Sequence, residues 1–459
     1  MFKISASSIA AATNGVTKNI KSTDLLVDSL VIDNRDVIKN SVFVAIKGPN
    51  FDGHSFCFNA IERGASFVIV EKEIENIPQI IVKNTRKALL DIATLNRSRF
   101  KGEITAITGS VGKTTTKDML GSILNSCFKT LKTFKNLNNE IGLPKTILKL
   151  DESYKAAVLE LGMSNFGEIR TLSKVCSPSI AIITKIGVSH IEFLKTKENI
   201  LKAKLEILDG MEKDTHLILN GDDELLKNLH ISDHKIILCG IENSMNIYSA
   251  KNIKQIDLST EYDLYLKEKF LAKITLPTIG KHNVLNSLLA IAAAGFYSIP
   301  IENIVSSLKE FTPSDMRQNI CNINGIIVIE DFYNASPDSM KASIETLTKI
   351  PSSGRKIAVL GSMLELGDFS KKEHQTIGEF AVRNNIDILY CYGEETKEMV
   401  DAAKKEADAE KRECKINYFT ERKNLIDCLK KELKKTDVVL FKASLRMNFK
   451  EIFSSVFPS

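Results

Sequence analysis

Short apolar runs recur along the chain between longer amphipathic stretches, and their spacing predicts three successive units of mixed strand and helix. Between Leu30 and Val70, SLVIDNRDV and SVFVAIKGPNFDGHSF precede a helical AIERGA and the strand SFVIV, a compact unit expected to end near Asn84. Beyond it, ITAIT, AAVLELG, SIAIITKIG and THLILN alternate with helical stretches, the signature of a parallel sheet with crossover helices. A proline-bearing segment, Phe311 to Asp315, then introduces GIIVIEDF, RKIAVLGS, DILYCYG and TDVVLFKAS, which read as a Rossmann-like α/β domain. The expected division is 1–84, 85–313 and 314–459. No internal repeat is evident, and the charge-rich stretch Lys404 to Lys415 reads as a solvated helix.

One of these strands carries the clearest chemistry. In ITAITGSVGKTTT, Ile104 to Thr116, an apolar strand runs into a Gly-Ser-Val-Gly-Lys-Thr turn and then a helix. Gly109, Ser110, Val111 and Gly112 let backbone amides crowd around a polyphosphate, the helix directs its positive end at it, Lys113 reaches the transferring phosphate, and Thr114 is placed to hold magnesium. The loop is shorter by two residues than the general G-x-x-x-x-G-K-[ST] pattern, because only Ser110 and Val111 lie between the glycines. Nucleotide binding follows from the loop; the reaction that the nucleotide drives does not.

Length and composition narrow the alternatives. A chain of 459 residues exceeds one ordinary core, and a formal net charge of +5 is too small for that length to imply a nucleic-acid partner. The eight cysteines include no C-x-x-C pair, so reduced cytoplasmic thiols are expected rather than zinc or a redox dithiol. The first residues, MFKISASSIAAATNG, hold no sustained apolar core and nowhere do about 18 apolar residues run together, so neither export nor membrane insertion is expected.

Further candidates lie at strand ends. Glu160 closes AAVLELG, where an acid can face the phosphate loop and meet magnesium directly or through water, a solvated strand-end glutamate being the less favoured alternative. His190 follows SIAIITKIG and is either a ligand or a structural histidine. Over Lys197 to Met211, helical periodicity predicts a buried stripe of Ile200, Ala203, Ile207, Leu208 and Met211 with Lys204 near its centre, while Lys202 and Glu206 project away. A lysine there must snorkel, pair with an acid or lose its charge; a buried pair with an acid is favoured by the pattern, and carbamylation is the chemical alternative. Lys281-His282-Asn283 with Asn286 opens an Ala-rich helix whose amides are expected to face outward, and Glu330 to Asn334 ends a strand before Pro337; both suit nucleotide contacts or simple turn capping.

With these residues in place, the chain resembles the Mur ligases, the ATP-dependent amide-forming enzymes of peptidoglycan synthesis, over nearly its whole length. The resemblance rests on TGSVGKTT, LNNEIGLPKT at 137–146, LELGMSNFGEI at 159–169, IEDFYNASPDSM at 329–340, and VLGSMLELGDFS with His374. Within the family it is strongest to the branch that joins D-alanyl-D-alanine to UDP-N-acetylmuramoyl-tripeptide. It implies an N-terminal UDP-substrate domain, a central P-loop-type parallel-sheet ATPase domain and a C-terminal α/β ligase domain. It also implies ATP and two Mg2+ ions served by Thr114, Glu160, His190 and a carbamylated Lys204, with Lys113 and the loop amides on the phosphates. Adenosine contacts would come from Asn286, Arg317, Asp331 and Asn334, and Asn138 and Asn139 would lie beside the reacting groups. Asn34, Arg35, Lys47 and the Asp52-Gly53-His54 turn match segments lining the uridine-nucleotide site. A cytoplasmic monomer is expected.

The chain departs from the family pattern at three places. Asp33-Asn34-Arg35 replaces Asp-Ser-Arg, Lys185 stands where asparagine is common, and KASLRM at 442–447 differs from Lys-Gly-Ser-Arg. Competing functions are a Mur ligase adding a single amino acid, a folylpolyglutamate synthetase, and, in a different class, a P-loop regulatory ATPase. The third domain's strand-end motifs have no role in the last.

Overall fold

The computed structural model describes residues 1–314 and 316–458; Asp315, which ends the proline-bearing segment, lies outside them. Three sheets dominate. The N-terminal sheet has the strand order Val16–Lys18, Gln79–Ile81, Phe67–Val70, Ser41–Val44, Ser29–Val31. Phe67–Val70 and Ser41–Val44 are buried along their whole length, as expected for parallel strands covered on both faces, and they read as continuous apolar runs for that reason.

The central sheet has nine strands. Its parallel part places Glu103–Thr108 between Ala156–Glu160 and Ile180–Ile183, with Glu160 opposite Ile107 and Ile183 opposite Thr108. This register sets the phosphate loop, Glu160 and the Thr184–Lys185 segment along one carboxyl edge, at the crevice where open α/β sheets bind ligands. Three antiparallel strands, Tyr248–Ile256, Ser259–Leu266 and Lys269–Leu276, extend this sheet. The middle one, Ser259–Leu266, alternates buried and half-buried positions, and the extension packs against the alanine-rich helix Lys281–Ala294.

In the C-terminal sheet the strand Val438–Lys442 lies between Ile326–Glu330 and Lys356–Gly361, so Asp331, Ser362 and Ala443 all emerge at one carboxyl edge. That edge faces the central one. Lys185 pairs with Asp338 at 2.8 Å, and the His282 ring lies 2.8 Å from the Gln318 amide oxygen, both contacts joining the central domain to the C-terminal one. The charge-rich segment is helical only as far as Glu410, and Lys415 begins a strand.

Candidate active site

The phosphate loop is shaped by two glycines in left-handed conformations. Gly109 has φ 150° and Gly112 φ 87°. A Cβ on Gly109 would stand 1.9 Å from the Thr184 hydroxyl oxygen, and one on Gly112 would stand 2.4 Å from Asn286 Oδ1. Side chains are therefore excluded by both backbone and space. The Ser110 amide donates to the Lys185 carbonyl at 2.8 Å, and the Gly187 amide donates to Ser110 Oγ at 2.9 Å, which ties the loop to the next strand end. The helix Lys113–Asn125 then begins with its first-turn amides available to an anion.

Lys113 folds back, its ammonium donating to the Gly109 carbonyl at 2.8 Å, and desolvation lowers its pKa. Thr114 donates to Glu160 Oε2 at 2.7 Å, and Asn138 Nδ2 donates to Glu160 Oε1 at 2.9 Å. Glu160 is thus a buried carboxylate facing the loop, and the Thr133 hydroxyl fixes its backbone by accepting from its amide. Asn139 plays a local part, its Oδ1 accepting from the amides of Ile141 and Gly142.

Lys204 is 2% exposed, and no carboxylate lies within ion-pair reach among the described residues. The buried lysine–acid pair favoured by the sequence pattern is absent. Desolvation, with the neighbouring Lys113 charge adding to it, holds Lys204 well below the ordinary lysine pKa. The surrounding segment also differs from expectation: the α-helix is Lys197–Leu205, and Glu206–Gly210 tightens into a 3-10 turn. The tighter turn carries Glu206 inward, where it accepts from the amides of Gly167 and Arg170 at the start of the helix Glu168–Cys176. Those orphan helix-start amides explain a buried glutamate on what looked like a solvent face.

His190 has φ 62° and lies with Nδ1 2.8 Å from Glu365 Oε2 of the C-terminal domain. The contact is short but not linear, and Nδ1 is buried with no well-aligned hydrogen-bond partner. Asn286 and Asn283 are buried, not turned outward; Asn286 Oδ1 packs at Gly112 and accepts from Thr116, and Asn283 donates to the Ile279 carbonyl. In the C-terminal domain, the Arg317 guanidinium stacks 4.0 Å from the centre of the Tyr333 ring. Asp331 receives Lys442 Nζ at 2.7 Å and the Ser343 hydroxyl, and the Asn334 carbonyl accepts from the same ammonium at 3.2 Å.

The N-terminal candidates form a separate cluster. Asp33 caps the turn Asn34–Asp36 and grips Arg35, which holds the Asp33 pKa down at about 2. Asn34 donates to Asn59 Oδ1 at 2.8 Å. His54 uses both ring nitrogens, one toward Asp52 at 2.6 Å and the other accepting from the Glu71 amide at 3.0 Å, and Lys47 bridges to Asp52 through the backbone.

Sequence reasoning missed Lys117, Asp118, Glu365, Lys442 and the Lys185–Asp338 pair. Lys117 and Asp118 are buried within the helix Lys113–Asn125 itself, and Asp118 receives Lys132 and Ser314. Lys442 carried a visible signal, a lysine directly after the apolar VVLF of a buried strand.

Three family models match in succession: "Mur ligase family, catalytic domain" over 27–105, "Mur ligase middle domain" over 107–294, and "Mur ligase, glutamate ligase domain" over 316–445. The UDP-N-acetylmuramoyl-tripeptide--D-alanyl-D-alanine ligase of Bacillus subtilis is 35% identical over 100% of this chain and 99% of its own. The chain belongs to the Mur ligase family. The enzyme of the same name from Haemophilus influenzae is 31% identical over 99% of both chains. A crystal structure of MurF from Acinetobacter baumannii superposes with TM-score 0.91 at 29% identity, covering 100% of this chain and 99% of that one. A Thermotoga maritima MurF structure in complex with ADP gives 0.84 at 28% identity over 95% and 98%. These Mur ligase relatives share the three-domain α/β architecture.

Proposed function

We propose that this chain is an ATP-dependent, ADP-forming ligase that joins D-alanyl-D-alanine to UDP-N-acetylmuramoyl-tripeptide in peptidoglycan precursor synthesis. The observation that carries the reading is the meeting of two carboxyl edges: Lys113, Thr114, Glu160 and Asn138 on one, Arg317, Asp331 and Asn334 on the other. Full-length similarity to ligases of that specificity chooses the acceptor.

The tripeptide carboxylate attacks the γ-phosphorus of ATP, the bond to the bridging oxygen breaks, and ADP leaves. The amine of D-alanyl-D-alanine then attacks the acyl carbon, inorganic phosphate leaves, and the amine's proton passes to solvent or a nearby base. Lys113 and the loop amides hold the transferred group in line and offset its charge. Asn138 and Asn139 lie beside the reacting carboxylate, while Asn286, Arg317, Asp331 and Asn334 hold adenosine. Asn34, Arg35, Lys47, Asp52 and His54 line the uridine-nucleotide end.

Magnesium is ordinarily held by one or two carboxylates with phosphate oxygens and waters, and the Thr114–Glu160 pair fits that donor set. Among the described residues, no three His, Cys, Asp or Glu side chains converge as a ready-made metal cage. A second ion beside His190 asks for another oxygen ligand. Lys204 supplies one once its neutral amine adds to carbon dioxide, forming an N–C bond and releasing a proton. Its depressed pKa and lack of an acidic partner favour that addition. Bound magnesium supplies charge stabilisation on the phosphates.

No helix is long and apolar enough to cross a membrane among the described residues. The enzyme acts in the cytoplasm as a monomer, with both edges of the site drawn from one chain.

Purified protein is mixed with ATP, the UDP-linked tripeptide and either D-alanyl-D-alanine or single amino acids, and phosphate and product are followed. Turnover only with the dipeptide is expected. Turnover with a single amino acid alone overturns the choice of acceptor, and hydrolysis stimulated by nucleic acid without a UDP-substrate overturns the ligase reading.

A further inference from the structure

Two non-glycine residues with left-handed backbones face each other across the boundary between the central and C-terminal domains. His190 has φ 62° and Glu365 φ 63°. Such conformations are uncommon outside glycine and persist where their surroundings over-determine them. The loop carrying Glu365 is held from several sides. The Met363 amide donates to His374 Nε2 at 3.0 Å, His374 Nδ1 donates in turn to the Ser370 carbonyl at 2.8 Å, and the Leu364 amide donates to Ser444 Oγ at 3.0 Å. Gly367, φ 51°, lies against Glu192 in the turn after His190, where an added Cβ would come within 3.0 Å of the Glu192 side chain. All of this scaffolding delivers one carboxylate oxygen to 2.8 Å from His190 Nδ1, an atom shielded from solvent that has no aligned hydrogen bond, so the carboxylate acts on the ring through charge at close range.

We infer that Glu365 is a positioning residue that holds His190 in the Nδ1–H tautomer and leaves Nε2 as the ring's lone-pair donor. Ligating histidines commonly present their other N–H to a carboxylate, which fixes the ring and raises its basicity. Here the carboxylate arrives from a different domain. His190 follows Ser189, whose hydroxyl reaches the Ser110 carbonyl of the phosphate loop at 3.4 Å, so the segment that carries the ring is tied to the nucleotide loop. Docking of the C-terminal domain therefore prepares the central domain's histidine, and metal affinity and domain docking are coupled through this contact. The inference rests on the proposed role of His190 as a magnesium ligand.

The test uses the full-length protein labelled with 15N-histidine, and long-range 1H–15N correlation identifies the His190 tautomer against H190A. Nδ1–H is expected in the parent and in Glu365→Gln, whose amide oxygen still accepts, and is lost in Glu365→Ala. Mn2+ affinity with ADP present, read by electron paramagnetic resonance, is expected to fall about tenfold in E365A and to recover most of the way in E365Q. An Nε2–H tautomer in the parent overturns the inference. So does an E365A protein with unchanged tautomer and Mn2+ affinity while H190A binds Mn2+ weakly, a result that leaves the ligand reading intact. Unchanged Mn2+ affinity in H190A overturns the ligand reading itself, and the inference with it.

Discussion

At the scale of single residues, Lys204 concentrates the opposition between stability and function. Its ammonium is desolvated, lies near Lys113 and has no acid to pair with, so its pKa in the folded protein is depressed. The unfolded chain, with lysine near its ordinary value of about 10.4, binds more protons wherever pH lies between the two values. The penalty on folding is thus fully present below the depressed pKa and fades as pH rises toward the unfolded one. Lys204→Met removes the charge and keeps the bulk. In carbon dioxide-depleted buffer at pH 7 it is expected to be more stable than the parent by at least about 1 kcal/mol, with the gap narrowing at higher pH. Urea unfolding at neutral and alkaline pH measures this, and an equally stable variant at both would show that the buried amine carries no penalty. Ligase turnover is expected to fall by roughly a thousandfold in the same protein. Lys113→Met should show a comparable loss of turnover, visible as phosphate release, because the charge facing the transferred group is gone.

At the scale of elements, the phosphate loop is the most demanding local structure and the most legible. Gly109→Ala places a methyl 1.9 Å from Thr184 Oγ1 at φ 150°, so both the strand-end contact and the backbone resist it. ATP affinity, measured by calorimetry, is expected to drop at least about a hundredfold, a loss of roughly 2.7 kcal/mol; near-normal binding would mean that Thr184 yields freely. The loop was readable because glycine, lysine and threonine at fixed spacing encode backbone geometry locally. Buried parallel strands such as Ala156–Glu160 were readable because coverage on both faces leaves an uninterrupted apolar run. The Tyr248–Leu276 antiparallel extension was not, since its strands are largely polar and half-buried and reveal their place only through the helix Lys281–Ala294 behind them. Glu206 was misplaced for a related reason. Helical periodicity projects a straight helix through Met211, whereas the 3-10 turn follows from distant amides at Gly167 and Arg170 that no local pattern announces. Lys204 itself was legible as an anomaly, but whether an acid met it depended on which elements surround the lysine in three dimensions.

At the scale of the whole molecule, the site exists only while the C-terminal edge stays docked on the central one, and the docking contacts differ in physical kind. Lys185 and Asp338 form a half-exposed ion pair at 2.8 Å. Asp338 also lies in the first turn of the helix Pro337–Lys349, where a carboxylate is favoured by the helix dipole. The same carboxylate nests against Gly187, where a Cβ would stand 2.3 Å from Asp338 Oδ2. Charge and shape can therefore be separated by mutation. Lys185→Ala removes an exposed pair worth up to about 1 kcal/mol, an attraction that salt screens. Gly187→Ala introduces a steric conflict that salt leaves unchanged. With dyes on the central and C-terminal domains, both variants are expected to populate a more open arrangement than the parent at low salt. Raising ionic strength to about 0.5 M should bring the parent most of the way to Lys185→Ala, while the added opening caused by Gly187→Ala persists. If salt abolished the Gly187→Ala effect, electrostatics alone would govern docking. If neither variant opened, the burden would fall on the remaining contacts, among them His190 with Glu365, His282 with Gln318, and the Gln255 amide, which donates to the Lys349 carbonyl at 2.7 Å.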